Sequence, residues 1–150
     1  MIGGVQVIPL KRIPDERGTV SHMLKRTDPH FREFGEVYFS SVYPGVVKGW
    51  HLHKVMTLNY ACVVGAIRLA LYDEREGSPT RGRVQEIVLG EANYLLAIVP
   101  PGVWNGFVGT APRESIVANC ATHPHDPGEI VRIDPYTNHI PYEWKKGLIP

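Results

Sequence analysis

The sequence predicts an all-β protein, a double-sheet jelly roll, and three observations lead there. Turn residues recur at about 8–12-residue spacing, as expected of a β-sandwich or barrel. Apolar and polar residues alternate over short runs, the pattern of half-buried strands. Only Asp28-Pro29-His30-Phe31-Arg32-Glu33-Phe34 offers one or two helical turns, and nothing else holds a helical period over ~11 residues. The chain has 150 residues, with 15 Gly and 13 Pro spread along it. That suits one compact domain over 1–150, with no linker, repeat or low-complexity tract to divide it. A jelly roll closes around an interior, and ligand sites favour such barrel mouths.

The elements follow in order. Val5-Gln6-Val7-Ile8 opens as a strand. Glu36 to Tyr43 is aromatic and β-branched and stops at Pro44-Gly45. Ile67, Leu69 and Leu71 alternate with Arg68, Ala70 and Tyr72, which predicts one buried and one open face. Glu86-Ile87-Val88-Leu89 ends at Gly90, and Tyr94 to Val99 ends at Pro100-Pro101-Gly102. Ser115 to Cys120 is the last clear strand.

Composition excludes several classes. Lys and Arg number 16 against 15 Asp and Glu, a formal charge of +1. Phosphate backbones need a basic surplus, so nucleic acid is not the expected partner. No run of ~18 apolar residues exists to cross a membrane as a helix. Met1-Ile2-Gly3-Gly4 lacks the charged and apolar regions of a secretory signal. Cys62 and Cys120 sit in apolar runs and read as buried, reduced thiols of a cytoplasmic protein.

The densest chemistry is Lys48-Gly49-Trp50-His51-Leu52-His53-Lys54. In a strand, His51 and His53 share a face, and imidazoles titrating near neutrality suit a general base and its conjugate acid. The plain alternative is two surface histidines on an edge strand. Lys48 falls one residue out of phase and reaches the same face only if the strand bends, for which Gly49 is placed. The segment also matches the start of the cupin metal motif. However, Thr57 and Leu58 stand where a Glu ligand belongs, and Asn105 where a His belongs. Two imidazoles and an amide fall short of a divalent-metal set, so neither metal nor cofactor is expected.

Five ordered segments carry a resemblance. They are Asp15-Glu16-Arg17-Gly18, Gly45-Val46-Val47-Lys48-Gly49-Trp50-His51, and the stretch from Tyr72 through Gly77-Ser78-Pro79-Thr80 to Gly82. Val99-Pro100-Pro101-Gly102 with Gly106-Phe107, and Ile133-Asp134-Pro135 with Ile140 and Trp144, complete the set. Together they resemble the dTDP-4-dehydrorhamnose 3,5-epimerase family, a metal-free branch of the cupins, over nearly the whole chain. The resemblance implies a nucleotide-linked 4-keto-6-deoxy sugar as substrate and enolisation next to its keto group. It implies His51 as base, and Arg17 and Lys48 as contacts to the diphosphate or the enolate oxygen. Lys48 stands where the family has Arg, keeping the charge but losing the bidentate fork.

The sequence departs from that family at the proton carriers. The stretch Cys120-Ala121-Thr122-His123-Pro124 lacks the Asp that pairs with the family histidine, and Val117 or Ala118 stands near its Tyr. His22 replaces a Glu, and Asn105 a His. The core from Lys48 to Lys54 is instead similar to the Arg-Gly-x-His-Ala-His-Lys of the dTDP-4-keto-6-deoxyhexose 3,4-ketoisomerases, whose upstream Tyr corresponds to Tyr38.

The reading is therefore an epimerase with His51 as base and His53 or Tyr38 as second proton carrier. Arg17 and Lys48 are its anion contacts, and Asn105 and Trp50 its pocket walls. A homodimer is expected, because a sandwich must cover its edge strands. The alternatives are a 3,4-ketoisomerase, a cupin that binds the sugar nucleotide without turnover, and a metal-dependent cupin. Tyr43 and Tyr60 read first as packing residues, Trp104 equally as core filling or pocket wall, Arg75, Arg81 and Arg83 as a solvated turn or diphosphate contact, and His123 and His125 as loop residues.

Overall fold

The computed structural model describes residues 1–144, so the last six positions of the predicted domain lie outside the described residues. Among the described residues twelve strands form: β1 (Gln6–Pro9), β2 (Arg12–Asp15), β3 (Gly18–Ser21), β4 (Glu36–Val42), β5 (Val47–His53), β6 (Leu58–Val64), β7 (Ala66–Asp73), β8 (Val84–Gly90), β9 (Leu95–Val99), β10 (Val103–Gly109), β11 (Ser115–Ala121) and β12 (Ile130–Arg132). They build a first sheet, β1-β9-β6-β11-β4, and a second, β12-β5-β10-β7-β8, with β2 and β3 as a separate hairpin. Every strand-to-strand pairing is antiparallel. The all-β expectation holds, and no helix forms among the described residues.

The segment expected to be helical is a correction. Asp28 N–H donates to the Lys25 carbonyl and Phe31 N–H to the Asp28 carbonyl, closing two isolated turns. Pro29 has no N–H to extend them, and Phe34 stays exposed, so no apolar stripe is buried to hold a helix.

The main core lies between the sheets, with Leu58, Tyr60 and Cys62 of β6 against Ile67, Leu69 and Leu71 of β7 and Phe107 of β10. A second cluster seals the outside of the second sheet, where Trp50, Ala70, Trp104 and Val108 meet Ile140 and Trp144 of the C-terminal segment. That cover explains a difference on β7. Arg68 and Ala70, expected to face water, are buried, and Arg68 Nε donates to Tyr142 Oη at 3.0 Å.

One irregularity positions the site. β5 pairs β10 through Asn105↔His51 and then Phe107↔Lys48, so Gly106 alone faces Gly49 and Trp50. The extra residue is a β-bulge, which turns the strand by one side-chain step. Lys48 therefore joins the face of His51. The bulge needs two glycines, since a Cβ on Gly49 would lie 2.9 Å from Gly106 Cα.

Candidate active site

A cavity of about 430 Å³ opens between the sheets at one end of the core. Its second-sheet wall carries Lys48, His51 and His53 of β5 and Arg132 of β12. Its first-sheet wall carries Tyr38 of β4, Asn119 of β11 and Tyr60 of β6. His125 and Glu36 close the rim, where Glu36 Oε1 accepts the His125 N–H at 2.9 Å. The two histidines do share one face, turned inward.

Their environments differ. His51 makes no side-chain hydrogen bond among the described residues, and it stands in register with Arg132. Burial, then the nearby charges of Arg132, His53 and Lys48, push its pKa down to about 4. His51 is neutral at pH 7 and is disfavoured as a cation. His53 is buried, and its Nδ1 hydrogen-bonds to Glu129, equally buried. The Glu129 carboxyl is pushed up by burial. Its bonds from His53 and from the Val55 and Met56 amides outweigh this and hold it below the usual range.

The two tyrosines also differ. Tyr38 Oη receives the Asn119 Nδ2–H at 2.9 Å, and burial raises its pKa. Tyr60 Oη donates to Asn105 Oδ1 at 3.2 Å, and burial pushes its pKa up. Lys48 Nζ donates to Ser40 Oγ at 2.6 Å and to the Ser41 carbonyl at 3.1 Å, which pins the ammonium at the cavity wall. The Arg132 side chain has no hydrogen bond or ion pair among the described residues, so its guanidinium donors are open to an anion.

Five sequence expectations are corrected. Trp50 is 0% exposed and faces away from the cavity. It packs edge-on to Tyr142 and against Trp144, because neighbours of His51 along a strand point to the other side. Asn105 is buried behind the wall, where its Nδ2 donates to the His51 carbonyl at 3.1 Å and its Oδ1 holds Tyr60. Arg17 stands on the β2–β3 hairpin, 83% exposed and paired with Asp15, outside this cavity. Arg75 is no anion contact, since it is spent on buried Asp73 and the Gly3 carbonyl. Cys120 is only partly buried, although Cys62 is fully so.

Arg132, Glu129 and Asn119 were not anticipated. Glu129 meets a histidine 76 residues away, and Asn119 a tyrosine 81 residues away. No local pattern signals such pairs. Among the described residues no three His, Cys, Asp or Glu cluster as metal ligands, and no helix is long and apolar enough to cross a membrane.

The chain is similar to several known proteins. A family model for dTDP-4-dehydrorhamnose 3,5-epimerase matches residues 1–149. A dTDP sugar isomerase from Desulfovibrio desulfuricans G20 superposes with a TM-score of 0.93 at 45% identity, covering 95% of this chain and 92% of that one. A probable low-salt glycan biosynthesis epimerase of Haloferax volcanii is 33% identical over 144 residues, 95% of this chain and 89% of the relative. A spore coat polysaccharide biosynthesis protein of Bacillus subtilis is 30% identical over 146 residues, 96% and 97% of the two chains.

Proposed function

We propose that this chain, which belongs to the dTDP-4-dehydrorhamnose 3,5-epimerase family, inverts a carbon next to the keto group of a nucleotide-linked 4-keto-6-deoxy sugar. The observation that carries the reading is the opposition of proton carriers. His51 and His53 stand on one sheet and Tyr38 on the other, with the cavity between them. Inversion takes a proton from one side of a carbon and returns it to the opposite side. Moving a keto group along one side of the ring needs carriers on that side only. The arrangement therefore favours epimerisation over the 3,4-ketoisomerisation that the His-x-His core resembles.

The keto group makes the neighbouring C–H acidic, and an imidazole takes that proton to leave an enolate. Lys48 and Arg132, both cationic and both beside His51, supply charge for the enolate oxygen and for the diphosphate. Neutral His51 belongs to this cationic corner. We take residues 1–150 as one such catalytic domain. The similarity to the glycan biosynthesis and spore coat polysaccharide relatives supports a product used in polysaccharide biosynthesis. A cytoplasmic setting belongs to the same reading, supported by the unpaired thiols of Cys62 and Cys120.

A homodimer is part of the proposal. β4 is an edge strand, and its outward residues Val37 and Phe39 are exposed, Phe39 at 69%. Phe34 lies exposed close to its start. An apolar edge of this kind favours a second copy. Light scattering on the intact chain tests it, and Phe39→Glu is expected to give a monomer.

Deuterium incorporation tests the reaction. The chain is incubated with dTDP-4-keto-6-deoxyglucose in D₂O, and the sugar is read by NMR. Label at C3 or C5 in an inverted product supports the epimerase. A keto group moved to C3 identifies a ketoisomerase, and binding without label identifies a binding protein.

A further inference from the structure

We infer that Glu129 and Asn119 fix the direction in which protons cross the cavity: Glu129 makes His53 the base, and Asn119 turns the hydroxyl hydrogen of Tyr38 toward the substrate. The inference rests on the epimerase reading above and assigns its two proton carriers through positioning residues that touch no substrate.

The base is chosen by its partner. Glu129 Oε1 is bound to His53 Nδ1, while Oε2 accepts the backbone N–H groups of Lys54, Val55 and Met56 at 3.1, 3.2 and 3.3 Å. Four donors converge on this buried group, so it is a carboxylate, with no hydrogen to give. The hydrogen in the bond therefore belongs to His53 Nδ1. The neutral ring then carries its lone pair on Nε2, which has no partner among the described residues, on a side chain that lines the cavity. A proton arriving at Nε2 makes an imidazolium beside a buried carboxylate. A proton arriving at His51 makes one beside Lys48 and Arg132 with no acceptor, and its pKa, pushed down to about 4, reflects that. A carbon acid needs a base whose conjugate acid is stabilised, and of the pair only His53 has that stabilisation.

The acid is chosen by hydrogen-bond polarity. Asn59 N–H donates to Asn119 Oδ1 at 3.0 Å. A backbone N–H only donates, so the amide oxygen is held on that side and Nδ2 faces Tyr38, at 2.9 Å. Nδ2 also only donates. Tyr38 Oη must accept, and its own hydrogen is left for the cavity. Tyr60 has the reverse polarity. Asn105 Nδ2 is committed to the His51 carbonyl, so Asn105 Oδ1 faces Tyr60 and takes its hydrogen. Both tyrosines line the cavity, and of the two Tyr38 has a proton to deliver.

In the step itself, His53 Nε2 takes the proton from the carbon beside the keto group. The C–H pair becomes a C=C bond as the carbonyl π pair moves onto oxygen. Tyr38 delivers its hydroxyl proton to the opposite face of that carbon, and the enolate oxygen reforms C=O. Solvent then reprotonates the phenolate and takes the proton from Nε2, so nothing is oxidised or reduced.

The test pairs two readouts. Imidazole ¹⁵N NMR of the unliganded protein needs no substrate. The neutral His53 ring is expected to carry its proton on Nδ1, and Glu129→Gln is expected to lose that preference. A wild-type ring protonated on Nε2 overturns the inference. In D₂O with dTDP-4-keto-6-deoxyglucose, Glu129→Gln is expected to slow exchange about 100-fold in kcat with KM within about twofold. Because its imidazolium is less stabilised, the acid limb of the pH profile moves to lower pH. Glu129→Asp restores part of the rate. His53→Gln, which disturbs no backbone cap, loses exchange even if Glu129→Gln fails to fold, and it loses more of it than His51→Gln does. Asn119→Asp offers Tyr38 an acceptor oxygen, so label enters uninverted substrate. An unchanged acid limb in Glu129→Gln, or inversion at the wild-type ratio in Asn119→Asp, overturns the inference. Absence of label in the wild type instead overturns the epimerase reading, and the imidazole spectrum still decides the proton polarity.

Discussion

The two faces of β5 are built on opposite rules. Inward, Lys48, His51 and His53 leave polar atoms open to a cavity of about 430 Å³. Outward, Trp50 and Leu52 are covered, and Trp50 packs against Tyr142 and Trp144 at ring separations of 5.7 and 5.1 Å. A cavity forfeits the packing that its wall would otherwise make. The second sheet recovers that packing on the other side, under the C-terminal segment. The difference teaches that the aromatic cover holds rigid a strand whose inner face is left underpacked for chemistry.

The sharpest way to break the comparison is to empty the outer face. Trp50→Ala removes a fully buried indole from that cluster. It is expected to lower the unfolding free energy by about 3–5 kcal/mol, measured by urea denaturation at pH 7. His51→Gln, one residue along on the inner face, should be far milder in the same assay. Equal losses would mean that the two faces do not divide the work in this way.

A smaller effect comes from the joint between the faces. In Gly106→Ala the new methyl would lie 3.0 Å from Gly49 Cα, 3.2 Å from the Lys48 carbonyl oxygen and 3.2 Å from Trp144 Cζ2. Two of these are backbone neighbours, so the strands must part. We expect a loss of about 1–3 kcal/mol, as for other overpacked sites. Exchange activity should fall with it, because opening the bulge takes Lys48 out of phase with His51. Wild-type activity in a destabilised Gly106→Ala would show that the bulge serves packing alone.

Much of this was legible in the sequence. Alternation and Pro/Gly stops mark β1, β4, β7, β8, β9 and β11, and a period of two turns His51 and His53 the same way. The misfit of Lys48 already called for a bend near Gly49, and the bulge is that bend. Trp50 was misplaced because closeness to the histidines outweighed the alternation that puts it on the opposite face. Asn105 was assigned by motif position, and it holds the wall from behind. Glu129 was out of reach for another reason. It follows Pro127-Gly128 in a connecting segment, and only the pairing of β12 with β5 carries it to His53. Proton polarity is a property of who donates to whom across the barrel, and strand periodicity holds no record of it.

The smallest effect separates the two histidines by pH. An unfolded chain protonates His51 near the ordinary imidazole value of 6.5, while the folded protein resists until about 4. Between those values the unfolded state binds more protons. Stability therefore falls as pH drops from 6.5 toward 4 and levels off below. His51→Gln removes that slope. Relative to its own value at pH 7, the variant is expected to retain more stability at pH 5 than the wild type, by at most about 2 kcal/mol. His53→Gln leaves the burial of His51 and the charges of Lys48 and Arg132 in place, so it is expected to keep most of that slope. Paired urea melts at pH 5 and pH 7 read it, and the same acid slope surviving in His51→Gln would place the resistance to protonation on another group.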